Sequence, residues 1–222
     1  MVEGSRGQGV DMVSGAGLTT ALSGADAVVD ASNPVPADAA TEWGEALVAA
    51  TRNVVRACAE NQVSHMVFLS VLGIEDAAFD RFEYYLAKRE QERVVGDSGL
   101  AATIVKTSQW HEFAANPAAV QFHADRVEVQ DWLVQPVAAD AVADVLAQEA
   151  LQPSGRRRVL LTGPERIRLP ELARRRLEAL GDGRPVRTVE PHLPELAGSA
   201  LVAPAEAEVV GPGVQEWISA LR

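Results

Sequence analysis

Short apolar runs recur along the first half of the chain, and stretches with helical spacing separate them. The runs predict strands over residues 9–13, 25–32, 65–71 and 101–108. The run HMVFLSV at 65–71 is almost continuously apolar, which is typical of a strand buried on both faces of a parallel sheet.

Helical spacing is clearest between the second and third of these runs. Residues 38–61 carry apolar side chains three or four positions apart, at Trp43, Leu47, Ala50, Val54, Val55 and Cys58. A short helical segment is predicted over 18–24 and a longer helix over 80–96. Strands that alternate with helices in this way predict an α/β fold with a parallel, doubly wound sheet.

Beyond residue 108 the pattern is mixed. Helices are predicted there over 138–151 and 169–181 and a strand over 156–163, together with strand-like alternation in VEVQDWLVQPV, a short strand in RPVRTVEP and a closing helix in VQEWISALR. No internal repeat or long linker divides the 222 residues, and this length suits one domain. We therefore predict a single domain over 1–222, with the sheet core in 9–108 and a mixed region in 109–222.

The charge of the chain restricts its partners. The 20 basic and 31 acidic residues give a formal net charge of −11, and basic residues cluster only as Arg triplets at 156–158 and 174–176. This pattern argues against nucleic acid and anionic membranes as partners. No apolar stretch reaches the length of a membrane span, and the first residues lack the apolar segment of a signal peptide, so a cytoplasmic protein is predicted.

Neither a disulfide nor a metal site is expected. Cys58 is the single cysteine, and it lies on the apolar side of a predicted helix, where a packed thiol is favoured over a nucleophile. His111, Glu112 and His123 lack the spacing and the third firm ligand that a metal set needs.

Both tyrosines and one of the two lysines fall in FEYYLAKREQERV, residues 82–94. Lysine is scarce in this chain, because 18 of the 20 basic residues are arginine. Tyr84 and Lys88 are one helical turn apart and share a face of the predicted helix. Two interpretations stay open: a pair that performs acid/base chemistry, or a tyrosine covering apolar surface beside a solvated lysine.

Five stretches resemble a known family in their order and spacing. They are LSGADAVVDAS, ATRNVVRACAENQVSHMVFLSVLG, YYLAKREQERVVGDSGLAATIVKTSQWHEF, VQPVAADAVADVLA and LLTGPERIRLPELARR. The chain resembles the atypical short-chain dehydrogenase/reductase superfamily, in particular its NmrA-like NAD(P)H-binding branch. The resemblance implies a Rossmann-like doubly wound parallel sheet, a small C-terminal substrate lobe, and NADP or NAD as cofactor.

The resemblance also implies catalytic roles. Tyr84 would shuttle a proton to a substrate carbonyl, and Lys88 would lower the pKa of this tyrosine and hold the nicotinamide ribose. Ser70, at the end of a predicted strand, would orient the carbonyl. For Ser70, a hydroxyl that only satisfies backbone groups at the strand end is an equal alternative.

Further residues are implied around the cofactor and the substrate. The cofactor-binding set comprises Ser32, Asn33, Ser70, Lys88, Thr107 and Gln109. The substrate set comprises Tyr85, Trp110, His111 and Phe113, with His111 as an acid/base candidate. Asn33 before a proline can also be a plain turn, and His111 can simply be hydrogen-bonded.

One part of the superfamily pattern has no counterpart in the chain. Such proteins begin with a strand, a GxxGxxG turn and a helix that together hold the pyrophosphate. Only three residues precede GSRGQG at 4–9, so this segment is not expected to act as a phosphate loop. We expect that the first βαβ unit is missing, that dinucleotide binding is weak, and that the chain forms a homo-oligomer through the open sheet edge.

The function implied by the resemblance is an NAD(P)H-linked reductase or isomerase of a small, partly apolar carbonyl compound. Two alternatives stay open. One is a non-enzymatic binding or regulatory protein, and the other is an enzyme that uses the same crevice for a redox-neutral reaction without the nucleotide.

Overall fold

The computed structural model describes residues 6–36 and 41–221. The helices are α1 Leu18–Ala21, α2 Trp43–Glu60, α3 Glu83–Gly96, α4 Ala139–Leu151, α5 Leu169–Ala179 and α6 Val214–Ala220. The strands are β1 Ala27–Asp30, β2 His65–Val71, β3 Ala102–Thr107, β4 Val120–Phe122, β5 Val127–Gln130, β6 Leu133–Val134, β7 Arg158–Thr162, β8 Ile167–Arg168, β9 Val186–Val189 and β10 Glu208–Val209. The predicted helix over 38–61 begins at Trp43, and residues 38–40 of that prediction lie outside the described residues.

Five strands form a parallel sheet in the order β1-β2-β3-β7-β10. With helices between its strands, this sheet is a Rossmann-like α/β fold, which confirms the predicted fold class. The strand β2 is buried along most of its length, in keeping with its continuous apolar run. Two strands of the sheet, β7 and β10, lie beyond residue 108 and therefore outside the predicted sheet core. Two small sheets, β4-β5-β9 and β6-β8, complete the strands.

The predicted strand over 9–13 is wrong, because this segment folds into turns. Hydrogen bonds around Asp11 stabilise these turns. The Asp11 carboxylate accepts a hydrogen bond from the Val13 amide, and the Gly15 amide donates to the Asp11 carbonyl. Gly17 adopts a φ of 77°, and a Cβ at this position would lie 2.3 Å from the Gly9 carbonyl oxygen. Only Val10 of the segment is fully buried.

The chain divides into two compact units. Unit 1 takes in the described residues of Met1–Ser70, Phe79–Val105 and Val145–Val159, and unit 2 those of Val71–Ala78, Lys106–Asp144 and Leu160–Arg222. In unit 1, α2 buries Val54 and Cys58 against Met66 and Phe68 of β2. Because these α2 residues are four positions apart, they line one face of the helix, as the apolar spacing predicted.

Unit 2 has a core of its own, to which Val127, Val129, Leu169 and Leu172 contribute. The glycine after β7 is required by close packing, since a Cβ on Gly163 would lie 1.8 Å from the Pro136 carbonyl oxygen. Across the described ranges, no helix combines the length and apolar character needed to cross a membrane.

Candidate functional site

Lys88 is a buried ammonium at the carboxyl end of β2. Its side chain is only 3% exposed, and Nζ donates a hydrogen bond of 3.2 Å to the Leu69 carbonyl oxygen. The same nitrogen lies 4.7 Å from the centre of the Phe68 ring. The interpretation of Lys88 as a solvated surface residue is therefore wrong, because α3 turns this side chain toward the sheet.

Tyr84 stands one turn earlier on α3 and is half-buried. Its ring stacks on the indole of Trp43 with 5.0 Å between centroids and 24° between planes. Burial raises the pKa of the phenol above its ordinary value. The expected lowering of the Tyr84 pKa is not met, since loss of water around the phenol decides the direction.

Ser70, near the end of β2, uses its hydroxyl hydrogen in a buried hydrogen bond. Its Oγ donates to Oε1 of Glu92 at 2.5 Å, and both residues are buried. Glu92 lies one turn beyond Lys88 on α3, and Nη2 of Arg158 is 4.0 Å from its second oxygen. Because the Ser70 hydrogen is used by a carboxylate, the oxygen is left to accept a hydrogen bond from a ligand rather than to donate one.

Ser32 and Asn33 follow β1 and differ in their contacts. The Ser32 hydroxyl and amide both donate to Oδ1 of Asp30, at 2.6 and 3.0 Å, whereas Asn33 is exposed. Within the described residues, Oδ2 of Asp30 is buried and has no hydrogen-bond partner. Burial raises the pKa of Asp30, although bonds from Ser32 and the charge of Lys88 oppose the shift.

Tyr85 and Cys58 both behave as packing residues of unit 1. Tyr85 is buried, with edge-on ring contacts to Phe79 at 4.7 Å and Phe82 at 4.9 Å between centroids. Cys58 is fully buried, and burial together with the nearby Asp30 carboxylate raises its pKa to about 11. Its thiol is therefore protonated at neutral pH and poorly suited to act as a nucleophile.

The remaining predicted site residues belong to unit 2. Thr107 is buried at the end of β3, and its hydroxyl accepts a hydrogen bond of 3.2 Å from the partly exposed indole of Trp110. Lys106, the second lysine, is also buried and forms an ion pair with Glu75. Phe113 is half-buried with its ring 5.3 Å from that of Trp132.

Gln109 and His111 carry buried polar atoms that have no hydrogen-bond partner among the described residues. These atoms are Oε1 of Gln109 and both ring nitrogens of His111. The His111 ring is fully buried and stacks on Trp217 at 5.0 Å with 16° between planes. Burial lowers its pKa, while the charges of Glu112 and Glu165 act in the opposite direction. The interpretation of His111 as a histidine that is simply hydrogen-bonded does not agree with this geometry, because neither ring nitrogen has a partner among the described residues.

The sequence interpretation missed three residues that the structure brings to the predicted site of unit 1. Glu92 could have been found from the sequence, because it continues the one-turn spacing of Tyr84 and Lys88. The sequence pattern gives no indication of Trp43 or Asp30 as site residues, since Trp43 reaches Tyr84 only through the packing of α2 on α3. The described part of the chain contains no cluster of three or more His, Cys, Asp or Glu side chains able to hold a metal ion.

The sequence pattern of the NAD(P)H-binding family matches residues 8–153. This match covers more than half of the chain, so the chain belongs to this NAD(P)H-binding family. The expected membership of the atypical short-chain dehydrogenase/reductase superfamily is confirmed, and NAD or NADP is its cofactor. The strength of dinucleotide binding stays a prediction. No curated protein sequence is significantly similar to the chain.

Solved structures share the fold at low identity. A nucleoside-diphosphate-sugar epimerase from Staphylococcus aureus is 16% identical with a TM-score of 0.65, over 94% of this chain and 81% of that one. UDP-N-acetylglucosamine 4-epimerase from Bacillus cereus is 14% identical with a TM-score of 0.62, over 92% and 78%. An NADPH-dependent quinone oxidoreductase from Escherichia coli, solved with NADPH, is 16% identical with a TM-score of 0.60, over 96% and 82%.

The side chains fit a nicotinamide nucleotide in chemical character. The Lys88 ammonium is suited to ribose hydroxyls, and Oε1 of Gln109, which has no hydrogen-bond partner within the described ranges, is an acceptor for an amide or hydroxyl donor. Together with the family and the shared fold, these groups support a nucleotide-dependent protein of redox type.

Proposed function

We propose that the chain is an NAD(P)H-dependent reductase or isomerase acting on a small, partly apolar carbonyl compound. The observation that carries this proposal is the pair Tyr84 and Lys88, one turn apart on α3, with the lysine buried at the strand ends. A buried ammonium beside a half-buried phenol is an expensive arrangement for a protein that only needs helix packing. The presence of this pair therefore favours a catalytic role over a packing role.

In this proposal the two side chains have separate tasks. Lys88 holds the nicotinamide ribose, and Tyr84 donates its phenolic proton to the carbonyl oxygen of the substrate. Tyr84 keeps its proton at neutral pH, as a general acid must, although its raised pKa makes it a weaker proton donor than an ordinary phenol. When bound, NAD(P)H supplies the hydride that the carbonyl carbon accepts.

Aromatic side chains around Tyr84 support a partly apolar substrate. Trp43 is 42% exposed and Phe82 is 41% exposed, and both rings contact the ring of Tyr84. Exposed aromatic surface of this kind stacks favourably on flat or apolar ligands.

The test is turnover of NADPH and NADH with a panel of small aldehydes, ketones and quinones. Tyr84→Phe removes the phenolic proton and should lower the rate by roughly 100-fold or more, the usual scale for a positioned acid. Lys88→Arg keeps the charge but not the compact ammonium, and should lower the rate strongly as well. Leu86→Ala, on an exposed face of α3, is the control. Unchanged rates in both site variants would reject the proposal.

A non-enzymatic binding protein is the second candidate, and the Ser70–Glu92 hydrogen bond favours it. A serine whose hydrogen is used by a carboxylate cannot donate to a substrate carbonyl, so one part of the expected catalytic set is engaged elsewhere. Calorimetry separates the two candidates. Nucleotide binding without turnover of any carbonyl in the panel would favour the binding protein.

We also propose that the chain acts in the cytoplasm as a homo-oligomer, with a small molecule rather than nucleic acid or membrane as its partner. Val29 on the edge strand β1 is 43% exposed, and Val35 in the following segment is 61% exposed, which supports self-association. Light scattering at micromolar concentrations should give a mass above that of one chain, and a monomer mass would contradict this.

A further inference from the structure

We propose that Trp43 is a positioning residue for Tyr84, whose indole fixes the plane of the phenol ring and shields one face of it from water. The catalytic meaning of this contact rests on the proposed function. The contact itself is a feature of the fold and can be tested without a substrate.

The indole of Trp43 is held by two different interactions. Its ring system stacks on Tyr84 with 5.0 Å between ring centroids and 24° between planes. Its Nε1 donates a hydrogen bond of 3.1 Å to the Pro34 carbonyl oxygen. A flat side chain that is stacked on one side and hydrogen-bonded at its edge has little freedom to rotate, so it is a firm surface for Tyr84.

The first turn of α2 lies directly against α3, which brings Trp43 into place. A Cβ added at Gly44 would be 3.5 Å from Cβ of Ala87, so the two helices approach closely there. Tyr84 packs against the small cluster of Leu47, Val48 and Ala87 on the same side. The Tyr84 side chain thus contacts both this cluster and the indole.

Exposure sets Trp43 apart from a core residue. The side chain remains 42% exposed although tryptophan buries a large apolar area when a fold needs it in the core. Through Pro34, the indole also connects Tyr84 to the segment that carries Ser32 and Asn33. The direction of the Tyr84 pKa, raised by burial, agrees with a phenol that is shielded from water.

Nuclear magnetic resonance can test this contact because the chain has only two tyrosines. In a Tyr85→Phe background with ring-labelled tyrosine, the single set of tyrosine ring signals belongs to Tyr84. Stacking on Trp43 shields these ring protons, so we expect Trp43→Leu to move them downfield. Trp43→Phe, which keeps a stacking ring but no N–H donor, should retain most of the shielding.

Titration of the same signals is the second readout. Trp43→Leu should lower the Tyr84 pKa toward the ordinary value of about 10, and Trp43→Phe should not. Glu42 adjoins Trp43 and Glu83 adjoins Tyr84 in sequence, so Glu42→Gln and Glu83→Gln test whether charge instead of shielding holds the pKa. Leu86→Ala is the control for a change on an exposed face of α3, and circular dichroism defines the pH range in which the fold persists.

The outcomes separate this inference from the proposed function. Ring signals and a pKa that stay unchanged in folded Trp43→Leu would overturn the positioning role. A shift of both in Trp43→Leu, retained shielding in Trp43→Phe, and a kcat lowered on the order of 10-fold in Trp43→Leu at nearly constant KM for NADPH would support it. If Tyr84→Phe leaves turnover unchanged while the signals respond to Trp43→Leu, the proposed function fails and the stacking contact still holds.

Discussion

The buried polar residues of α3 and those within residues 107–113 differ in whether their side chains find hydrogen-bond partners inside the protein. On α3, Lys88 donates to the Leu69 carbonyl, Gln91 donates to the Leu47 carbonyl and the Thr51 hydroxyl, and Glu92 accepts from Ser70. In the second region, the side-chain oxygen Oε1 of Gln109 and both ring nitrogens of His111 have no hydrogen-bond partner among the described residues.

This difference separates two ways of preparing a site. The α3 face is held largely by the protein itself, since Lys88, Gln91 and Glu92 each have at least one hydrogen-bond partner on a neighbouring helix or strand, although Oε1 of Gln91 has none among the described residues. Such groups are held in place before any ligand arrives. The side chains of Gln109 and His111 lose their hydrogen bonds to water on burial and gain none from the described residues for the atoms named above. Buried polar atoms without a hydrogen-bond partner are more often found where function requires them.

Breaking the α3 network should give the largest loss of stability. Glu92→Ala removes the charged acceptor of Ser70 and leaves a buried hydroxyl unpaired, so the free energy of unfolding should fall by about 2–3 kcal/mol. Glu92→Gln keeps an acceptor oxygen and should cost less. Urea denaturation followed by circular dichroism measures both.

The neighbouring Glu90 provides the matched control for this change. It lies on the same helix and pairs with Arg52 and Arg93 at the surface. Glu90→Ala should change the free energy of unfolding by at most about 1 kcal/mol, as is usual for exposed ion pairs. Equal losses of unfolding free energy for Glu92→Ala and Glu90→Ala would show that the buried Ser70–Glu92 hydrogen bond stabilises the protein no more than an exposed ion pair does.

The second region should respond to pH through His111. Burial lowers the pKa of this histidine in the folded state, so the unfolded chain binds a proton more readily than the folded one. The stability contribution is complete above the unfolded pKa of about 6.5 and is lost as pH falls from there toward the lower folded pKa, with a slope of at most about 1.4 kcal/mol per pH unit.

His111→Phe should remove this pH dependence, because phenylalanine can keep the stack on Trp217 and takes up no proton. Urea midpoints between pH 5 and 7.5 measure the effect, and His192→Asn, at an exposed position, serves as control. A His111→Phe profile as steep as that of the unchanged chain would mean that another group causes the acid sensitivity.

The sequence predicted the parallel sheet because buried strands leave continuous apolar runs, as in β2. It failed at residues 9–13, where Asp11 and nearby glycines form turns despite apolar neighbours. It also missed β10, since two residues, Glu208 and Val209, carry too little pattern within a tail rich in Pro, Ala and Gly.

The candidate site was predictable only as far as local spacing reaches. Tyr84 and Lys88 could be paired from their one-turn separation, and the burial of Lys88 follows from the side of α3 on which it lies. The direction of the Tyr84 pKa could not be foreseen, because it depends on the burial of the phenol, and its contact with Trp43 comes from a different helix. Contacts of this kind are set by tertiary packing.

The smallest expected effect is a gain in stability, and it tests the second region directly. Gln109→Met removes a buried side-chain acceptor that has no partner in the described part of the chain and fills the space with an apolar chain, so the free energy of unfolding should rise by about 1 kcal/mol. Gln130→Met is the matched control in the same unit. Gln130 is equally buried, but its amide accepts from Trp132 and donates to Ala118, so its loss should be destabilising. If the Gln109 oxygen accepts a hydrogen bond from the nucleotide, Gln109→Met should also weaken NADPH binding in calorimetry while it stabilises the chain. A variant that is less stable and binds NADPH as before would show that this oxygen is satisfied within the protein and would remove the contrast between the two regions.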